Sequence, residues 1–497
     1  MGFSVDNIIL IGSLLLFISI IAGKTGYRFG VPILVLFLGV GMLFGNDGFG
    51  LEFSNPEHAQ FIGLLALNTI LFSGGMDTKY VEIRPVIVHG ITLATLGVLL
   101  TALITGVFVY FLTRHIFSAI TFSFLEAMLL ASVMSSTDSA SVFAILGAKG
   151  LALKERLKPL LELESGSNDP MAYLLTITFI QLLKIGDESS LWVIAANFVL
   201  QLTVGAILGY VFGRIIVKLI NKINLDNEAL YPVLMLTVLF MIYSITNDLK
   251  GNGYLAVYIS GLVIGNSIFV HKKTSKKFMD GMTWLFQIVM FLTLGLLVRP
   301  SELLPIATIG LAISLFMIFC ARPLAVWICL LPLKRMSNKA RHYVSWVGLR
   351  GAAPILFATY PWTANLPNAH IIFNIVFFVT LVSLLLQGTT VPVVAKWLGL
   401  IGEKHTQNKL ATFDVDFPDD IKSSMSEITL TEEHLTRGNR IMDMPMPEKT
   451  LVVMVKREEH YFVPTGSTEL EPGDILLIIS DNERSLKETY AKMGIKT

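Results

Sequence analysis

Apolar runs near the ~20 residues that a helix needs to cross a bilayer recur along most of this chain, and they restrict its fold more than any other feature. They lie at 7–23, 31–46, 61–76, 86–112, 124–147, 160–184, 191–220, 229–247, 254–270, 279–298, 303–331, 343–362 and 370–397. In hydrocarbon, every backbone polar group needs a partner within the protein, so thirteen such runs predict thirteen transmembrane helices. Of 497 residues, 15% are charged, where soluble domains carry about 25%. The shortfall is uneven, because from Glu403 onward there are 18 acidic and 12 basic residues. The chain therefore divides into a membrane body, 1–402, a connecting segment, 403–422, and a small acidic domain, 423–497.

An odd number of spans places the two termini on opposite sides. Loops after odd-numbered runs hold nineteen Lys and Arg residues, from Lys24 and Arg28 to Lys339 and Arg341. Loops after even-numbered runs hold four: Arg114, Lys184, Lys250 and Arg299. Basic loop residues mark the cytoplasmic side, so the N-terminus is expected outside and the acidic domain in the cytoplasm. Met1 to Asn7 has no basic residue, and the first run reads as a retained span, not a signal peptide. Cys320 and Cys329 share one apolar run and read as packing residues.

With the loop charges assigned, few remain at depth: Arg322 and Arg350, the acids Asp138, Glu164 and Asp169, and Glu162 near the cytoplasmic boundary. Such charges are costly in a bilayer and mark function. A rise of about 1.5 Å per residue puts Asp169 about 14 Å into its run and Asp138 about 21 Å along the preceding one. Both fall in the middle of a ~30 Å core. Ser165 and Asp169, four residues apart, share a helix face, and Glu164 and Asn168 line the next stripe. Glu164 and Arg322 reach similar depths in the cytoplasmic half and are expected to pair structurally.

The run containing Asp138 reads SVMSSTDSASVF, and its hydroxyls compete for backbone hydrogen bonds. GLRGAAP, from Gly348 to Pro354, is a second weak point, seven runs further on. Paired interruptions of this kind point to inverted repeats with a substrate site at the midplane. Arg350 lies inside the second one, where it either stabilises the carbonyl end of a broken helix or repels cations from an empty site. Pro170 removes a backbone donor beside Asp169.

Other motifs carry less. Gly23-Lys24-Thr25 ends like a P-loop, but Ile18 stands where its first glycine belongs. Gly205, Gly209 and Gly213 form a small-residue face suited to close helix packing. In the tail, TLVVMVKREEHYFVPTGSTELEPGDILLIIS alternates β-rich runs with turns, and NERSLKETYAKMG reads as a closing helix, which predicts a small α+β module.

Taken in order, the Thr137-Asp138 pair in a broken span, ESGSNDP, ARP and GLRGAAP resemble the electroneutral branch of the cation:proton antiporters. The likeness is to the NhaP-type potassium/proton antiporters, CvrA-like, that end in a cytoplasmic RCK-C (TrkA-C) domain, and it covers nearly the whole chain. It implies an all-α polytopic membrane protein with thirteen transmembrane helices, inverted repeats and broken crossover helices, plus the small cytoplasmic α+β domain. A core domain moving against a dimerisation domain, homodimers, and a place in the bacterial inner membrane are implied with it.

By the same resemblance, Asn168 and Asp169 form the family's Asn-Asp pair, and Asp169 binds either cation or proton. Thr137 and Asp138 line the crossover, Ser165 adds a ligand, and Glu164 with Arg322 is the family's ion pair. The transported ions are K+ or Na+ against H+, with the monovalent cation at Asp169 and Asp138 and no cofactor. The tail is expected to sense a small ligand of nucleotide type, and no nucleic acid is implied. Sodium-selective archaeal relatives carry a glutamate near the position of Ser73, where this chain has no carboxylate; that leans toward potassium.

The chemistry agrees with the pattern. A dehydrated K+ or Na+ needs oxygen ligands, and Asp169, Asp138, Ser165 and an opened backbone can supply them. A lone buried carboxylate holds a proton or a cation, not both, and Asn168 in place of a second acid predicts one charge each way, hence electroneutral exchange. A sodium/proton antiporter is the main alternative. A ligand-gated cation channel would need a filter of the TVGYG kind, and an intramembrane aspartyl protease a Gly-x-Gly-Asp signature; the runs contain neither.

Overall fold

The structure is a computed structural model that describes residues 5–29, 32–117, 120–185, 191–333, 336–402, 425–430, 435, 438–444, 450–457 and 460–480. It divides into two compact units, Met1–Gly402 and Glu403–Thr497. The first is helical. Its opening helices are α1 (Val5–Phe29), α2 (Ile33–Phe44), α3 (Pro56–Asp77) and α4 (Tyr80–His115). The polar centre follows in α5 (Phe124–Val133), α6 (Ser139–Ala148) and α7 (Leu157–Ile185). Next come α8 (Leu191–Ile223), α9 (Leu230–Asp248), α10 (Gly253–Gly265), α11 (Lys272–Leu297) and α12 (Pro300–Leu330). The unit closes with α13 (Asn338–Trp346), α14 (Ala352–Thr363) and α15 (Ala369–Trp397).

Among the described residues, seven helices are long and apolar enough to cross a membrane: α3, α4, α8, α9, α11, α12 and α15. Helices α2, α5 and α10 are apolar but shorter. Helix α7 is 29 residues long and more polar, and its polar residues build the site described below. Chemistry at the ends sets several boundaries. Asn55 caps α3 ahead of Pro56, and Ser123 with Glu126 forms a reciprocal capping box at the start of α5.

The most extensive packing links the helices in two groups, which meet where α14 lies on α3 and α10 on α7. In one, α8 and α9 lie on α10, α10 on α3, α3 on α11, and α11 on α2. In the other, α4 lies on α5, α5 on α7, and α12 and α14 on α15. The small-residue face of α8 is used within the chain. A Cβ added at Gly209 would sit 2.6 Å from the Ala256 carbonyl oxygen, so α8 and α10 touch backbone to backbone. Gly261 does the same for α10 on α3, with an added Cβ 2.4 Å from the Phe72 carbonyl oxygen. Cys320 and Cys329 are both free thiols.

The second unit contains a four-stranded antiparallel sheet. Its strands are β3 (Met425–Thr429), β4 (Thr450–Arg457), β5 (His460–Phe462) and β6 (Ile475–Ser480), in the order β3-β6-β4-β5. The first unit holds its own two-residue pairing, β1 (Ala152–Leu153) with β2 (Ile401–Gly402). In β6, Leu476 and Ile478 pack with Ile428 and Val455 in one core, and Leu477 between them is buried as well. Arg457 bonds both oxygens of buried Asp474 at the end of the Pro-Gly-Asp turn. Those hydrogen bonds push the guanidinium above its ordinary value. The sequence reading predicts β4 to β6 but not β3, whose Met-Ser-Glu-Ile-Thr lacks a clear apolar alternation. The expected closing helix at 482–494 and the connecting segment at 403–422 lie outside the described residues.

Candidate ion-binding site

The site begins with a failure of helical order. Helix α5 stops at Val133 and α6 restarts at Ser139, leaving Met134–Asp138 outside either helix. Side chains take over the backbone's bonds there. Ser135 Oγ donates to the Ser132 carbonyl at 2.7 Å, and Asp138 caps α6 by accepting from the Ser141 N–H at 3.1 Å and from its hydroxyl. A second break, Val347–Gly351, separates α13 from α14.

These breaks cross. The Asp138 N–H donates to the Leu349 carbonyl at 2.7 Å, joining residues more than two hundred positions apart. The Arg350 guanidinium donates to the Ser136 carbonyl, and the Arg350 N–H to Ser383 Oγ at 3.0 Å. Ser383 Oγ in turn donates to Gln387, whose amide bonds the Trp346 carbonyl at 2.7 Å. The backbone groups freed by the two breaks thus find partners within the protein, as irregular backbone at membrane depth must. Gly351 permits the crossing, since a Cβ there would lie 2.3 Å from Asp138 Oδ2. Of the two roles open to Arg350 from sequence, the contact made is with the carbonyl end of a broken helix, and the helix is α5.

Helix α7 supplies the remaining groups. Ser165 Oγ donates to the Thr137 carbonyl at 3.0 Å and accepts from the Ser139 N–H at 3.1 Å. Asn168 Nδ2 donates to Thr137 Oγ1 at 2.6 Å and to its carbonyl at 3.2 Å. Both side chains therefore pin the break to α7. Asp169, on the same stripe as Ser165, lines a cavity of about 270 Å³ together with Ser136, Thr137, Asp138 and Ser165. Among the described residues, no Lys or Arg forms an ion pair with Asp138 or Asp169.

Glu164, one stripe away, turns from the cavity and pairs with Arg322, both side chains being at most 3% exposed. Arg322 follows a π turn at Met317–Ala321 in α12 and precedes Pro323, a local irregularity that re-aims the side chain. The eight candidate site residues read from sequence thus belong to one connected region: Thr137, Asp138, Ser165, Asn168 and Asp169 around the break, Arg350 on its carbonyls, and Glu164 with Arg322 beside it.

Sequence reasoning missed two things. It finds no carboxylate near Ser73, whereas Asp280 of α11 brings an oxygen to 3.5 Å from Ser73 Oγ. The apolar run was expected to begin at 279, but α11 begins at Lys272, so Asp280 lies two turns inside a helix. It also missed the cavity's other wall, to which the end of α3 contributes Asp77 and its C-cap Thr78, and α10 contributes Tyr258. The amphipathic first half of α11 was the available signal for Asp280; no sequence pattern marks Tyr258.

A carboxylate without a basic partner, in a largely apolar cavity whose polar side chains gather where two broken helices cross, is the arrangement of a secondary ion transporter. The chain belongs to the sodium/hydrogen exchanger family: residues 13–397 match its transmembrane region, and residues 425–494 match the TrkA-C domain. It is similar to the K(+)/H(+) antiporter NhaP2 of Shewanella sp. (strain ANA-3), 40% identical over 486 residues, 97% of this chain and 83% of that one. The K(+)/H(+) antiporter NhaP of Alkalimonas amylolytica is 41% identical over 480 residues, covering 96% and 81%. The sodium proton antiporter MjNhaP1 from Methanocaldococcus jannaschii shares the fold, with TM-score 0.69 at 23% identity over 80% of this chain and 99% of that one.

Proposed function

We propose that this protein exchanges K+ for H+ by alternating access at Asp169, electroneutrally. The observation that carries the reading is the placement of Asp169: it lines the cavity beside Asp138 and Ser165, and no described basic side chain neutralises it. A bare carboxylate is costly away from water, so Asp169 is stable with a proton or with a cation. The two compete for one group. If only the loaded forms pass between the two states, each passage of a cation must be answered by a proton moving the other way. Asn168 keeps its amide on Thr137 and adds no second charge, which supports one charge per direction.

Potassium is favoured because the two relatives near 40% identity are named K(+)/H(+) antiporters. Asp280 beside Ser73 supplies a carboxylate from another helix, so the absence of an acid at Ser73 itself carries little weight in the choice. The reading includes thirteen spans with inverted repeats and the two crossing breaks. The basic-residue bias supports an external N-terminus and a cytoplasmic TrkA-C domain, and the bacterial relatives support insertion in the bacterial plasma membrane. Homodimerisation and a nucleotide-type ligand on the tail complete it. The test is proton movement in proteoliposomes with an imposed pH gradient, on addition of K+, Na+ or choline. Dissipation by K+ well above Na+ is expected; a preference for Na+ overturns the substrate, and no response to either overturns exchange.

A further inference from the structure

The cavity reaches from Asp169 to Asp77 and Glu162, and on the other side of Asp169 its lining gives way to a buried cluster of tyrosines. Its near wall comes from α3, α10 and α11, and its far wall from the breaks and α7. Beyond Asp169, one turn further along α7, Tyr173 meets Tyr254 of α10 edge-on, with ring centroids 4.8 Å apart and planes at 80°. Tyr173 also meets Tyr360 of α14 at 5.4 Å. The Tyr254 and Tyr360 hydroxyls are 3.2 Å apart, and Tyr243 of α9 backs Tyr254 at 5.0 Å. Asn252 adds a second bond at this level, donating to the Pro170 carbonyl at 2.8 Å. Tyr173 and Tyr360 belong to one helix group, and Tyr243, Tyr254 and Asn252 to the other. The cluster therefore lies across the seam between the groups that wall the cavity.

Tyr258, one turn from Tyr254 on the same face of α10, sits on the cavity side. Its ring rests on Gly166 of α7, where an added Cβ would lie 2.2 Å away. Its hydroxyl is buried near Thr78 and Ser167 without a well-formed hydrogen bond to either. Two tyrosines of one helix thus bracket the level of Asp169: the inner pair is engaged, and the other hydroxyl is free.

We infer that Tyr254 and Tyr360, with Tyr173 wedged against both, form the gate that seals Asp169 from the side on which α7 ends, and that Tyr258 is the counterpart that closes the opposite side. The inference rests on the antiport reading of Asp169. An aromatic core would need the rings alone. A gate also needs the hydroxyls, because a bond across the seam can be exchanged for bonds to water when the helices part, whereas apolar rings would meet water at a penalty.

The test measures access, not transport. In full-length protein with Cys320 and Cys329 replaced, single cysteines are placed at Thr176, two turns beyond Asp169 on α7, and at Gly74, which lines the cavity and has free space for a side chain. Labelling with a membrane-impermeant maleimide is followed from each side. In Tyr254→Phe/Tyr360→Phe, labelling at Thr176→Cys should rise about fivefold, the ratio set by one ordinary net hydrogen bond, and labelling at Gly74→Cys should fall. In Tyr258→Phe the changes should reverse, with labelling at Gly74→Cys rising and at Thr176→Cys falling; no change in this variant overturns the role of Tyr258. Unchanged labelling at both positions overturns the gate, and so does a rise at both, which means a loosened fold. Exchange retained in Asp169→Asn would break the antiport reading while leaving the labelling result standing.

Discussion

Asp169→Asn reduces cation-driven proton movement in proteoliposomes to the level of protein-free vesicles, while the purified protein remains folded. Asparagine has the size of aspartate and fits the same place in the cavity lining. What it loses is the ability to carry a proton in one state and a negative charge in the other. The described hydrogen bonds that join α7 to the break are made by Ser165 and Asn168, so the architecture does not depend on the Asp169 carboxylate. A monodisperse size-exclusion peak with no K+ or Na+ response is the expected pair of results. Exchange at more than background rate would contradict the site.

Arg322→Ala acts on a different quantity, the amount of folded protein. The Glu164–Arg322 pair is almost fully excluded from solvent, at 1% and 3% side-chain exposure. Removing the guanidinium leaves Glu164 charged and unpaired, a change that costs about 3–5 kcal/mol in buried pairs. Stabilities of folded proteins are of order 5–15 kcal/mol, so the loss is a large share of the total. The yield of monodisperse protein should fall severely, and Glu164→Gln combined with Arg322→Met should restore much of it, because the orphaned charge is then absent. A normal yield of Arg322→Ala with transport lost would assign the pair to the transport cycle instead.

Much of this architecture is written locally. The apolar runs mark the helices because the bilayer admits little else, and Ser135-Ser136-Thr137-Asp138 marks a break because four such side chains compete with the helix for its own backbone. Gly348 and Gly351 mark the other break by a different route, the backbone freedom that makes glycine a poor helix former. The i, i+4 relation of Ser165 and Asp169 follows from helix geometry alone. What could not be read is pairing between distant elements. Nothing local in Arg350 says that its guanidinium reaches Ser136, and nothing local in Asp280 says that α11 brings it to Ser73. The tyrosines illustrate the limit best. Within apolar helices they look like ordinary filling, and only the juxtaposition of α7, α9, α10 and α14 makes them a cluster across a seam.

The central claim is that one carboxylate serves both ions in turn, and its most direct measurement is proton release on cation binding. Purified protein in weakly buffered detergent solution is mixed with K+ near the pH of half-maximal exchange, and released protons are read with an indicator dye. Competition for Asp169 predicts release, at saturating K+, of the protons it holds beforehand, about half a proton per chain at that pH, and none from Asp169→Asn. Undiminished release from Asp169→Asn would contradict the claim, as would cation binding by the unmodified protein without any release of protons.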